Sequence, residues 1–113
     1  MNPDEVLVVY CTCPSDEVAQ QLAHALVSAS LVACVNVMPG VSSVYRWEGA
    51  VCSEREVLLM MKTNARQYAA LERFIVEQHP YDVPEILALP VVAGNADYLQ
   101  WVRNACAPLG TEK

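Results

Sequence analysis

Cys11-Thr12-Cys13 is the stretch of this chain best equipped for chemistry. It ends the run Val6-Leu7-Val8-Val9-Tyr10, whose β-branched and aromatic residues predict a central strand. Residues i and i+2 of a strand face one side, so both sulfurs can be offered to one soft ion such as Cu(I) or Zn(II). Cys13 also lies just before an expected helix start, where thiolate is favoured. The competing reading is packing, because free cysteine is commonly buried as a small apolar filler. Cys52 and Cys106 have no ligand-like spacing, and Cys34 opens a strand at the opposite end of the sheet from Cys11.

His79 is the better placed of the two histidines. Imidazole is the commonest metal ligand, and His79 stands where a helix gives way to Pro80. The alternative is a helix C-cap whose charge suits the dipole. His24 falls outside the main apolar stripe of its helix and reads as a solvated residue. Glu56 and Lys62 resemble an acid–base pair, but six positions apart on one strand they read as separate ion pairs or caps. Glu48, Asp82 and Glu85 offer oxygen ligands, although acidic loop residues are usually solvated. No nucleophile–base–orienter set is visible, so the chain is not expected to be an enzyme.

The elements that must position these residues follow from periodicity. The first strand runs from Glu5 to Cys13, and Pro14-Ser15 ends it. Ser15 is an N-cap, with Asp16 and Glu17 in the first turn. Val18, Leu22, Ala25, Leu26 and Ala29 then predict the buried stripe of a helix ending near Ser30. From Asn36 to Thr63 two long β-rich arms flank a Glu48-Gly49 turn, one ending at Trp47 and the other starting at Ala50, with a bend at Pro39-Gly40. Asn64, with Gln67 three residues on, caps a second helix whose apolar face is Tyr68, Leu71, Phe74 and Ile75 and whose end is His79-Pro80. Pro84 to Val92 holds a short strand around Ile86-Leu87-Ala88-Leu89. Tyr98, Trp101, Val102 and Ala105 predict a terminal helix from about Asn95, with residues 107–113 frayed.

The order β-α-β-β-α-β plus a C-terminal helix is the α+β, ferredoxin-like sandwich pattern, in which the first and third strands are central and the helices cover one face. The second hairpin arm is apolar on both sides: Val57, Leu59 and Met61 point one way, Leu58 and Met60 the other. A strand buried on both sides needs a layer on each. The extra layer and the excess arm length are expected to come from further copies of the chain, with Val44, Tyr45, Trp47, Leu58 and Met60 at the interface.

The 113 residues fit a single domain, 1–113. A net charge of −6 argues against a nucleic-acid partner or an anionic membrane surface. Tyr45, Trp47, Tyr81 and Trp101 are therefore expected in oligomer packing rather than in base stacking. No apolar run spans a bilayer, the start Met-Asn-Pro-Asp-Glu lacks secretory-signal features, and five cysteines suit a reducing cytoplasm.

Leu31-Val32-Ala33-Cys34-Val35-Asn36, Ser43-Val44-Tyr45-Arg46-Trp47-Glu48-Gly49, Glu56 with Lys62-Thr63, His79-Pro80-Tyr81-Asp82-Val83-Pro84-Glu85-Ile86 and Tyr98-Leu99-Gln100-Trp101 together resemble the CutA divalent-cation-tolerance family. The resemblance runs from about Val6 to Val102. It implies a ferredoxin-like homotrimer with interlocking hairpins, tolerance to divalent metals, and copper binding without turnover. Cys11 matches the family cysteine, whereas nothing carries over to Cys13. Family members with an assigned copper site have a pair of histidines before the Pro-Tyr, and the first of these is Gln78 here. A second architecture of this kind, the PII-like signalling trimer binding nucleotides between subunits, is the alternative; the chain has neither a Gly-rich phosphate loop nor a basic cluster for it.

Overall fold

Strand β1 (Val6–Cys13) is followed by α1 (Asp16–Ser28), two long strands β2 (Cys34–Trp47) and β3 (Ala50–Asn64), α2 (Ala65–Gln78), β4 (Ile86–Pro90) and α3 (Ala96–Ala105). The computed structural model describes residues 2–107, so the fraying expected of 107–113 lies, beyond Ala107, outside the described residues. Local chemistry sets the helix ends. Ser15, Asn64 and Asn95 each accept a backbone N–H of the first turn, from Val18, Gln67 and Tyr98 respectively, satisfying donors that have no intrahelical partner. At the other end of α1, Leu31 N–H returns to Leu26 O and Ser30 N–H to Val27 O, a Schellman closure with Ser30 at φ 60°. The helix therefore stops at Ser28, near Ser30 as expected.

The sheet has the order β2-β3-β1-β4, with every neighbouring pair antiparallel, so the first and third strands are central as expected. Register places Cys11 between Leu59 and Ile86, and Cys13 opposite Val57. Leu7, Val9, Cys11 and Cys13 of β1 join Val57, Leu59 and Met61 of β3 in one core with Leu22, Leu26, Leu71 and Ile75 of the helices. Each large aliphatic side chain buried there contributes about 1.5–3 kcal/mol. The buried stripe of α1 is Ala19, Leu22, Ala23 and Leu26, whereas Ala25 is only half-buried and Ala29 is exposed. The helix is turned so that Ala19 and Ala23, rather than Ala25 and Ala29, face the core.

The other face, expected to be covered only by further copies of the chain, is partly covered by the chain itself. Val102 and Cys106 of α3 pack on Val6 and Ala33, covering one end of it. Tyr98 and Trp101, assigned to the apolar side of that helix, remain 43% and 47% exposed. The packed side runs through Leu99, Val102, Ala105 and Cys106 instead. Tyr10, Leu58 and Met60 stay half-buried in the middle of this face, and Leu87 and Leu89 beside them are exposed.

β1 pairs with β3 only from Val57 to Asn64, whereas β2 follows β3 out to the turn. Residues 50–56 and their partners thus project from the body by roughly 24 Å, at about 3.4 Å per residue. The molecule measures 51 × 27 × 23 Å. Met38 faces Leu58 and Val41 faces Glu56, so Pro39 and Gly40 together oppose Val57 in a bulge where the arms leave the sheet. At the tip Glu48 and Gly49 have φ 50° and 80°, a two-residue turn with both central residues left-handed. Val44, Trp47 and Val51 are exposed along the projecting arms. No helix among the described residues is long and apolar enough to cross a membrane.

Candidate metal centre

The Sγ atoms of Cys11 and Cys13 and a ring nitrogen of His79 all lie within 4.8 Å of one another, and all three residues are buried. Strand alternation turns both cysteines to the core face, at the end of β1 nearest the projecting hairpin. His79 arrives from the other side as the C-cap of α2. Its N–H still closes on Ile75 O, but Pro80 forces it to an extended φ, ψ of −76°, 140°. That change of direction carries the imidazole to the strand end.

The ring is held at both nitrogens. Nε2–H donates to Thr12 O at 2.7 Å, and Nδ1 accepts the N–H of Tyr81 at 3.1 Å. Facing a carbonyl on one side and an N–H on the other, the imidazole carries its proton on Nε2 and its lone pair on Nδ1. The Tyr81 ring packs against it at 4.8 Å between centroids, and the Tyr81 hydroxyl donates to Glu56 Oε2 at 2.9 Å. Burial and the Glu56 carboxylate push that hydroxyl well above the usual phenol range. The Cys11 thiol is pushed far up, first by its interaction with the neighbouring Cys13 sulfur and then by burial, with Glu85 and Glu56 adding to the shift; its own hydrogen points to Thr12 O at 3.7 Å. Cys13 is drawn down by the same pairing with Cys11, against its own burial.

Two thiols and an imidazole are a borderline-soft donor set, suited to copper or zinc. The fit is by donor type and proximity: both cysteines are free. A ligating His79, by contrast, must give up one of its two backbone partners. The structure brings Cys11, Cys13 and His79 together and leaves the other candidates elsewhere. Cys34 faces Lys62 across the hairpin with its Sγ 3.7 Å from Tyr98 Oη. Cys52 sits on the projecting arm, and Cys106, the C-cap of α3, is buried with its Sγ 3.7 Å from Thr63 Oγ1. His24 is exposed, bonded to Gln20 O of its own helix at 2.8 Å. Glu56 and Lys62 are unconnected: the first holds Tyr81, the second donates to Asn36 Oδ1. Glu48 is at the hairpin tip, and Asp82 and Glu85 are exposed. Gln78 is exposed and lines a cleft between the helices with Val18, Phe74 and Pro80.

Sequence reasoning missed the Thr12 carbonyl, which fixes the imidazole, and the Tyr81–Glu56 bond. Tyr81 had been grouped with Tyr45, Trp47 and Trp101 as oligomer packing. The available signal was its position two residues after His79, within reach of the ring through a local turn.

The chain is thus an α+β protein with a four-stranded antiparallel sheet and three helices. It has this fold in common with the solved divalent cation tolerance protein of Thermus thermophilus, at TM-score 0.87 and 47% identity over 88% of this chain and 97% of that one. CutA from Xylella fastidiosa matches at TM-score 0.89 and 35% identity, covering 91% and 99%. The family model for the CutA1 divalent ion tolerance protein matches residues 7–105, and the chain belongs to that family. Among similar sequences, the Thermus thermophilus divalent-cation tolerance protein CutA is 49% identical over 97 residues, 86% of this chain and 94% of the relative. Human Protein CutA is 46% identical over 102 residues, 90% of this chain but only 57% of that protein.

Proposed function

We propose that this protein is a non-enzymatic, metal-binding homotrimer of ferredoxin-like architecture that serves divalent-cation tolerance in the cytoplasm, with copper or a similar ion held by Cys11 and His79 together with Cys13. The observation that carries the reading is the convergence of two buried free thiols and an imidazole within 4.8 Å. A bound ion would supply charge neutralisation to the thiolates and a strong cross-link between β1 and the end of α2. The chain's own part is to present the two thiols on one face of β1, to hold the imidazole tautomer through Thr12 and Tyr81, and to exclude water. The trimer is supported by what one copy leaves uncovered: Leu58 and Met60 on the half-covered face, and Val44, Tyr45 and Trp47 on arms that project past the sheet. The family name supports involvement of a divalent cation. No observation favours nucleotide binding between subunits.

Titration calorimetry under reducing conditions, with Cu(I) and separately with Zn(II), tests the metal reading. Uptake is expected to be lost in Cys11→Ser and in His79→Ala and unchanged in Cys34→Ser. It should weaken as pH falls, because thiol and imidazole must shed protons to ligate. Equal uptake by the wild type and the Cys11→Ser/His79→Ala double variant would reduce these residues to packing and capping groups.

A further inference from the structure

We propose that residues 80–85 form a strap over the Cys11–Cys13–His79 cluster, held shut by the Tyr81–Glu56 hydrogen bond, and that release of this bond controls access to the two thiols. The proposal takes the cluster to be the working site, as above, but its test requires no metal. Cys11 and Cys13 are 0% exposed and His79 only 7%, so nothing reaches the sulfurs while the structure is closed. Something adjacent has to move.

The segment between α2 and β4 is the part of the surrounding structure least tied down. It contains neither helix nor strand, and none of its residues enters a backbone–backbone hydrogen bond. Asp82, Val83 and Glu85 point to solvent. What fastens it are side-chain bonds: His79 Nε2–H to Thr12 O, Tyr81 N–H to His79 Nδ1, and Tyr81 Oη to Glu56 Oε2. The second is internal to the strap and its base. The third crosses to β3 at the point where the hairpin leaves the sheet, since Glu56 faces Val41 just beyond the bulge. It is also a hydrogen bond to a carboxylate, the stronger kind.

Pro80 and Pro84 fix φ near both ends, which favours movement of the segment as a unit. The β1–β4 ladder starts at Cys11 and Ile86, immediately after the strap. Lifting residues 80–85 with the Tyr81 ring therefore uncovers the His79 side of the cluster, against which that ring packs, without unpairing a strand. Local openings of this sort lie well below global unfolding in free energy.

The test is the labelling rate of each cysteine in the folded, reduced protein with a chelator present. Iodoacetamide is added, aliquots are quenched, and peptides are quantified by mass. Tyr81→Phe keeps the ring on His79 and removes only the hydroxyl. Cys11 and Cys13 are expected to label about tenfold faster, equivalent to about 1.4 kcal/mol for a bond to a charged acceptor. Glu56→Gln retains an uncharged acceptor and should give a smaller increase, whereas Glu56→Ala should match Tyr81→Phe. Cys106, buried at the far end as the C-cap of α3, should label at the wild-type rate in every variant. Unchanged labelling of Cys11 and Cys13 in Tyr81→Phe would overturn the proposal. So would a parallel rise at Cys106, which would mark general loosening. Loss of metal binding with retained gating, or the reverse, separates this inference from the metal reading.

Discussion

Replacing His79 by alanine distinguishes a side chain that builds the fold from one that only awaits an ion. The substitution strands the Thr12 carbonyl and the Tyr81 N–H, each of which loses its partner on the imidazole. Leaving a buried polar group unpaired costs about 1–3 kcal/mol. His79 is 7% exposed at the end of the sheet, so water can recover part of this. About 1 kcal/mol for each bond is the appropriate choice. Loss of the ring from beneath Tyr81 adds about 1 kcal/mol of apolar burial. The expected total is about 3 kcal/mol, present in metal-free protein. The assay is urea unfolding with chelator and reductant, comparing wild type and variant at one protein concentration, because any subunit association makes midpoints concentration-dependent. A His79→Ala protein within about 0.5 kcal/mol of wild type would refute the hydrogen-bond reasoning, since that is the scatter of an ordinary surface change.

Leu58→Asp or Met60→Asp should break the expected trimer, because a carboxylate buried without a partner costs several kcal/mol. Sedimentation would check it, and a variant that stayed trimeric and equally heat-stable would remove that face from the interface. Ser30→Gly and Glu48→Asn place left-handed-tolerant residues at φ 60° and 50°, and each should raise the unfolding midpoint by an amount matching about 0.5–1 kcal/mol. Stability should fall as pH rises from about 9, because Tyr81, Tyr98 and Cys106 hold their protons in the folded state beyond the pH at which the unfolded chain releases them. Below that range their contribution is complete, Cys13 acts in the opposite sense, and unfolding of Tyr81→Phe across this pH window should show a shallower slope.

Much of the architecture is legible because it rests on short-range rules. Val6-Leu7-Val8-Val9-Tyr10 can only be satisfied between neighbours in a sheet, and Ser15, Asn64 and Asn95 announce helix starts through the donors they accept. The length of the two arms and the break at Pro39-Gly40 are equally visible, since neither needs a distant partner to be stated. The orientation of a helix about its axis is less so. In α1 several apolar residues compete for the buried stripe, and only contact with the sheet selects Ala19 and Ala23 over Ala25 and Ala29. In α3 the aromatic residues Tyr98 and Trp101 dominate the sequence pattern, yet Leu99, Val102, Ala105 and Cys106 are the residues that pack at the end of the sheet.

The candidate site divides in the same way. By itself the sequence determined that Cys11 and Cys13 share a side, because alternation along a strand is a property of the backbone. It also determined that α2 ends at His79, because a proline follows. Strand order and the antiparallel course of α2 then put His79 at the correct edge. Only the tertiary structure decided that the imidazole is already engaged at both nitrogens, that Tyr81 reaches Glu56, and that Gln78 turns toward α1. These contacts join β1, β3 and the strap across separations of 67 and 25 residues. Hydrogen bonds at that range depend on where packing stops each element, a quantity set by the whole core rather than by any local pattern.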